Sequence, residues 1–174
     1  MSEIRVDAIK TRAGAVPKAS DVGLNVTGSV LQVLSTTKTD TFSSSSTSYT
    51  DVTGLSLAIT PSSTSSKILV ICHLGAVSNN NHYSGFRLVR DSTSIGIGTG
   101  GGTYNDSFSF YSGTSTAEFY PMSMQFLDSP STTSETTYKL QFKTSGAVNS
   151  HVNKRYDDST FGTASTFTVM EIAG

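Results

Sequence analysis

"TKTDTFSSSSTSYTDVTGLSLAITPSSTSSKILV", residues 37–70, decides how the whole chain is read. Its density of serine and threonine matches a flexible linker. Yet Phe42, Tyr49, Val52, Leu55, Leu57 and Ile59 recur through it, and an apolar run at 68–70 closes it. In "LSLAIT" (55–60) Leu55, Leu57 and Ile59 fall on one face and Ser56, Ala58 and Thr60 on the other, the period of a strand. Pro61 and the serines after it read as a turn. The stretch is therefore folded: residues 37–60 are expected to form a hairpin with its hydroxyls facing water, and "SSSS" (43–46) to be its turn or bulge.

Composition supports this reading across all 174 residues, a length that suits one domain with a small appendage. Thirty serines and 25 threonines make 55 hydroxyl-bearing positions. Apolar residues are 36% and charged residues 14%, but the net charge is only −1, from 12 basic and 13 acidic groups. Disorder pairs low hydrophobicity with high net charge, and the second half of that signature is missing. Thr, Val, Tyr, Phe and Ile are strand formers, so the composition favours sheet with polar outer faces. The single cysteine, Cys72, excludes an intrachain disulfide framework and a cysteine-rich zinc site. Near-neutral charge argues against nucleic acid as a partner, because neutralising phosphates needs clustered Lys and Arg. "MSEIRVDAIKTRAG" has no apolar core and does not read as a signal peptide, and the apolar run at 68–72 is too short to insert in a membrane. A soluble protein made in a cytoplasm is expected.

Strand signals recur at the spacing of sandwiches and barrels. "SVLQVL" (29–34) comes first. "KILVICHLGAV" (67–77) is apolar on both faces and reads as a central, doubly buried strand. "SGFRLVRDSTSIGIG" (84–98) reads as strand, "RDST" turn, strand. "DSFSFYS" (106–112) alternates Phe108 and Phe110 with serine. "AEFYPMSMQFLDSP" (117–130) carries Pro121, the mark of an edge or a bulge. "TTYKLQFKT" (136–144) alternates Tyr138, Leu140 and Phe142 inward with Lys139, Gln141 and Lys143 outward, and "ASTFTVMEIAG" (164–174) is the last strand. No window shows helical periodicity. The fold class expected is all-β, a β-sandwich or jelly roll over 29–174, preceded by a short extended N-terminal segment, 1–28, that attaches to something else. That segment holds Arg5, Lys10, Arg12 and Lys18, with Ile4, Val6 and Ile9 as its apolar contacts.

No motif points to catalysis or to a cofactor. "GIGTGG" (96–101) matches G-x-G-x-x-G in form, but a dinucleotide needs a helix N-terminus after the glycines and "GGTYNDSFSF" cannot begin one. His73, His82 and His151 show no zinc-ligand spacing; His73 reads as a core or interface residue, and its neighbour Cys72 would face the other way along a strand. A glycosidase needs paired carboxylates, whereas Glu118, Asp128 and Glu135 sit singly at strand ends or turns. The expectation is a non-enzyme without metal or cofactor. The loops "SNNNHYSG" and "GTGGGTYND" combine amides with aromatics, a set suited to hydroxylated ligands. Asn79, Asn80, Asn81, His82, Tyr83, Tyr104, Asn105 and Asp106 are the candidate ligand-facing residues. Exposed edges and scant charge favour closing an apolar face around a symmetry axis. Strand 67–77 and "EFYPMSMQF", with Phe119, Tyr120, Met122, Met124 and Phe126, are the candidate interface.

Several blocks together resemble virion structural proteins of tailed phages, described as tail-fibre or fibre-like and frequent in cyanophages and other aquatic phages. They are "MSEIRVDAIKTRAG", "GSVLQVLSTTKTDTF", "YTDVTGLSLAITPSSTSSKILV", "FRLVRDSTSIGIG", "LDSPSTTSETTYKLQF" and "TFTVMEIAG". This resemblance implies a homotrimer in the virion whose residues 1–28, through Ile4, Arg5, Val6, Ile9, Lys10 and Arg12, dock to other tail or head proteins. It implies an outward β-domain that meets the host surface, with glycans as ligands. The chain has neither heptads nor Gly-X-Y repeats for a shaft, so a short spike, a knob or a capsid or tail decoration without a receptor role fits equally.

Overall fold

The computed structural model describes residues 26–99, 106–146, 148–157 and 161–174. Eleven strands and no helix occur among them: β1 (Val30–Lys38), β2 (Phe42–Ser44), β3 (Thr50–Ile59), β4 (Lys67–Ser78), β5 (Tyr83–Arg90), β6 (Thr93–Ile95), β7 (Ser109–Ser112), β8 (Tyr120–Asp128), β9 (Thr136–Thr144), β10 (Ser150–Val152) and β11 (Ser165–Ile172). The attachment residues Ile4, Arg5, Val6, Ile9, Lys10 and Arg12 lie outside the described residues.

The strands form two antiparallel sheets. In the first, β8 pairs along one side of β4, while β11 and β10 follow one another along its other side. Beyond them β1 pairs with β11 and β2 with β10. The second sheet runs β3–β9–β5, with β6 and β7 end to end on the free side of β5. Both sheets are thus four strands wide, and the chain alternates between them in the order of a jelly roll. β4 runs upward from Lys67. The chain enters at the lower end, where Gly28 donates to the carbonyl of Ala173 at 2.7 Å. The turns after β3, β5 and β8 share that end; the connections after β2, β4, β7 and β9 lie at the upper end.

Alternation along each strand makes the core. Ile68, Val70, Cys72 and Leu74 of β4 face Tyr138, Leu140 and Phe142 of β9 in one buried cluster, which Val52, Leu55, Ile59, Phe86, Leu88, Met124, Phe167 and Val169 join. The aromatic members pack closely: Phe86 and Phe142 have ring centroids 5.3 Å apart, and Phe42 meets Phe142 edge-on at 5.9 Å. Among the described residues β8 pairs only with β4, and Pro121 stands in it near a register shift between Leu74 and Val77, the edge and bulge that the proline implies. The "RDST" turn between β5 and β6 carries Asp91 at φ 53°, a conformation aspartate tolerates.

Three expectations need correction. Residues 37–60 are folded strand but not a hairpin: β1 and β2 pair with β11 and β10 in the first sheet, and β3 pairs with β9 in the second. Local alternation reports which face is buried and carries no information on the partner strand. β4 is central but buried on one face only, because Leu69 and Ile71 point outward half-covered and His73 is exposed. His73 is therefore not a core residue; its Nδ1 lies 2.8 Å from Ser123 Oγ on the outer face. Nor do all hydroxyls face water. Ser78, Ser84, Thr144, Ser150 and Ser165 are buried, and Ser84 donates to Ser150 Oγ at 3.0 Å.

Charges inside the sandwich are matched by geometry. Asp128 accepts two bonds from Arg90 Nη1, at 2.8 and 3.0 Å, and a third from the Tyr138 hydroxyl at 2.7 Å. Burial, followed by that bond to Asp128, pushes the Tyr138 phenol up. Glu171 is 1% exposed and accepts from the Ser62 amide and hydroxyl, each at 2.6 Å, and from Gln32 Nε2 at 2.7 Å. Burial alone would raise its carboxyl, but the Ser62 and Gln32 bonds outweigh it and the net direction is down. The serine turn after β3 thus supplies donors to a charged carboxylate at the base of β11. Asp128→Ala leaves a tyrosine hydroxyl buried without its acceptor and a guanidinium without its acid, so roughly 2–3 kcal/mol of stability is expected to go. Urea denaturation of wild type and variant measures it.

Candidate functional site

The expected ligand-facing residues do not form one surface. Asn79, at the end of β4, is fully buried: its Nδ2 donates to Ser84 Oγ at 3.0 Å and its Oδ1 accepts from the Gly113 amide at 3.1 Å. It ties the β4–β5 turn to the β7–β8 turn and presents nothing to a ligand. Asn80 is partly exposed and Asn81 exposed, with φ 53°. The His82 ring lies against Gly146, where an added Cβ would stand 2.7 Å from Cε1, and its Nδ1 is 3.3 Å from Ser145 Oγ. Tyr83 is 49% exposed at the upper end of β5. Asn80, Asn81, His82 and Tyr83 thus form one rim. Tyr104 and Asn105 lie outside the described residues.

Asp106 belongs elsewhere, on the outer face of the second sheet. It accepts from Lys143 Nζ at 2.8 Å and lies 4.0 Å from Arg87 Nη1. Tyr49 lies among these groups. Arg87 sits 3.8 Å above its ring centroid, and its hydroxyl is 2.6 Å from Ser107 Oγ. Burial opposes ionisation of Asp106, but Lys143 and then Arg87 bring its carboxyl below the ordinary range. On the same face Asp51 accepts from Lys139 Nζ at 2.8 Å and Gln141 Nε2 at 2.7 Å, and the Lys139 bond leads the lowering of its carboxyl. This face closes on itself with ion pairs.

The outer face of the first sheet has the opposite character. The registers align Val33, Met170, Leu69 and Leu127 as one cross-strand row through β1, β11, β4 and β8. Val30 and Ile172 pair just below; Ser35, Thr168, Ile71 and Gln125 form the row above. Val33 and Leu127, at the two ends of the apolar row, are 52% and 54% exposed. The upper limit of the open face is Gly75, where an added Cβ would stand 2.3 Å from the Ala164 carbonyl, so the chain crosses the sheet there.

The expected interface residues are placed mainly within the chain. Met124 is 2% exposed in the core, and Met122 and Phe126 pack against that core. They occupy the inward positions of β8, whose outward positions are Ser123, Gln125 and Leu127. Only Tyr120 is open, at 53%; Phe119 stacks on Phe161 with centroids 5.8 Å apart. Reading "EFYPMSMQF" as one apolar block hid its period of two.

The eight exposed large apolar side chains among the described residues divide by position. Val26, Val30, Val33 and Leu127 lie in the lower half of the first sheet or below it. Tyr83, Tyr120 and Phe161 lie in the upper half, and Ile97 follows β6. Among the described residues no group of three or more His, Cys, Asp or Glu side chains is placed to hold a metal. No family model matches the chain, and no curated protein matches it.

One titratable group near the rim gives a pH dependence. His151, on β10, is buried; its Nδ1 lies 2.6 Å from Ser43 Oγ and its ring is edge-on to Tyr156. Burial, and then the charge of Lys154, lowers its pKa. The folded state thus holds the proton less well than the unfolded chain, so this group's penalty is absent above the unfolded value of about 6.5 and grows as pH falls below it. The lowered carboxyls of Asp51, Asp106 and Glu171 act at lower pH, from ordinary values of 3.8 and 4.5. The thermal midpoint of wild type is expected to drop between pH 7 and pH 5, and that of His151→Gln to drop less; calorimetry at both pH values decides it.

Proposed function

We propose that the protein is a non-enzymatic virion component of a tailed phage, a short homotrimeric fibre or spike. Residues 1–28 attach it to other tail or head proteins, and its β-domain meets host-surface glycans. The phage assignment rests on the resemblance of the sequence blocks quoted above. The observation that supports the two-ended role is the division of exposed apolar side chains. The chain enters at the lower end, beside the exposed valines, while Tyr83, Tyr120 and Phe161 stand at the other end with the Asn80–Asn81 turn. Aliphatic surface suits burial against protein. Aromatic faces beside amides suit sugar rings, which offer C–H faces and hydroxyls together.

A second reading is a capsid or tail decoration that stabilises the particle and binds no receptor. What favours it is that Asn79 and Asp106, two of the polar groups expected to meet a ligand, are spent on contacts within the chain. The two readings separate on whole cells. Fluorescently labelled protein is expected to adhere to host cells, and the triple variant Tyr83→Ala, Tyr120→Ala, Phe161→Ala to bind at least roughly tenfold more weakly, given about 0.5–1.5 kcal/mol for an aromatic contact. No adhesion by the wild-type protein supports decoration. Antibody labelling of virions in the electron microscope tests the placement itself, and unlabelled particles would end both readings.

A further inference from the structure

From the cross-strand row on the first sheet we infer that this outer face is the surface through which copies of the chain associate, with the Val33 end of one copy against the Leu127 end of the next. The inference rests on the oligomeric part of the function proposed above and deepens it by naming the face. The two sheets differ in the respect that matters. The second sheet's outer face carries Arg87, Lys139, Lys143, Asp51 and Asp106, already paired with one another. Stacking another molecule there would desolvate those pairs. The first sheet's outer face has no acid in any of its rows. Below Gly75 its titratable groups are Lys67, whose ammonium donates sideways to Ser129 Oγ at 2.8 Å, and His73, held by Ser123 at the upper margin; His151 of β10 lies beyond that margin, against Tyr156.

Charge complementarity selects the occupant. A face without carboxylates and with one outlying ammonium has little to offer a charged partner, and a polyanion would need clustered cations. A neutral apolar row is complementary to itself, because a second copy brings the same aliphatic groups and no unpaired charge. Packing this face onto the second sheet of a neighbour would bury that sheet's ion pairs, so the contact runs between first sheets. Both ends of the row are apolar, with the half-covered Met170 and Leu69 between them. Rotation about an axis along the strands therefore brings the β1 edge of one copy to the β8 edge of the next, and the ring closes. The side of β8 away from β4 has no strand partner among the described residues, and this contact shields it.

Two double variants test the inference by light scattering on a size-exclusion column, with circular dichroism to verify the fold. Val33 and Leu127 are exposed, so charge at either is compatible with folding. They also lie three strand steps, about 14 Å, apart in one chain, too far to pair internally. Val33→Glu with Leu127→Glu places like charges across every contact and is expected to reduce the wild-type trimer to a monomer. Val33→Glu with Leu127→Lys places opposite charges there and is expected to keep the trimer. Ile97→Glu, on the β6–β7 connection, is expected to leave the mass unchanged. A trimer that withstands the like-charge variant overturns this face while the trimeric reading stands. A wild-type dimer that the like-charge variant splits keeps the face and removes the trimer. Loss of association in the opposite-charge variant overturns the Val33–Leu127 contact, and a wild-type monomer overturns both readings.

Discussion

The fold depends on the closure of two facing rows, Ile68, Val70, Cys72 and Leu74 on β4 and Tyr138, Leu140 and Phe142 on β9. Each belongs to a strand paired on both sides, so neither row can shift without breaking two ladders at once. A one-residue slip would turn the whole row out to solvent and bring in Leu69, Ile71 and His73 instead. That constraint leaves few choices elsewhere. Hydroxyl-rich strands such as β3 need supply only one apolar residue in two, because the facing sheet supplies the rest. It also places Cys72 in the interior, where burial pushes its thiol up to about 12 and leaves it protonated and inert.

What the sequence makes legible follows from the same constraint. The strand identities, the inward set on β9, the β5–β6 turn and the edge position of β8 can each be read from a local pattern, because each depends on neighbours within a few residues. Pairing cannot be read that way. Residues 37–60 contain three strands in two sheets, and their partners lie about a hundred residues away in β9, β10 and β11. The same limit governs the sites. "SNNNHYSG" looks like a uniform polar loop, yet Asn79 and Ser84 are held inside and Asn81 stands exposed at positive φ. The aliphatic row is invisible along the chain, because Val33, Met170, Leu69 and Leu127 become neighbours only through register.

Serine and threonine prove to have two physical roles. On outward positions such as Ser35, Thr166 and Ser123 they leave the pleated surface polar and uncharged, which explains how a chain with 14% charged residues can present a hydrophilic exterior. At the ends of the sandwich they turn inward. Ser62 caps the Glu171 carboxylate; Ser84, Ser150 and Thr144 link β5, β10 and β9 at the upper end through bonds of 3.0 and 3.4 Å. A buried hydroxyl costs less to dehydrate than an amide or a charge and donates and accepts from one atom, so it fits where strands diverge and ladder bonds stop.

The difference between the two outer faces then takes on physical meaning. In water a sheet's outer face is stable when it is polar or covered. The second achieves this within the chain: Tyr49 lies flat between Arg87 and Lys143, and Asp106 anchors the returning connection over β5. The first has hydroxyls in its upper rows and aliphatic side chains in its lower ones, and no loop among the described residues folds over the latter. Ion pairs of the kind on the second sheet contribute little at a wet surface, about 0–1 kcal/mol each, but they make that face indifferent to partners. Aliphatic groups left in water gain about 25 cal/mol per Å² when something covers them. The asymmetry gives the molecule one face that loses by association and one that gains, which is the minimum a protein needs to assemble in a single orientation.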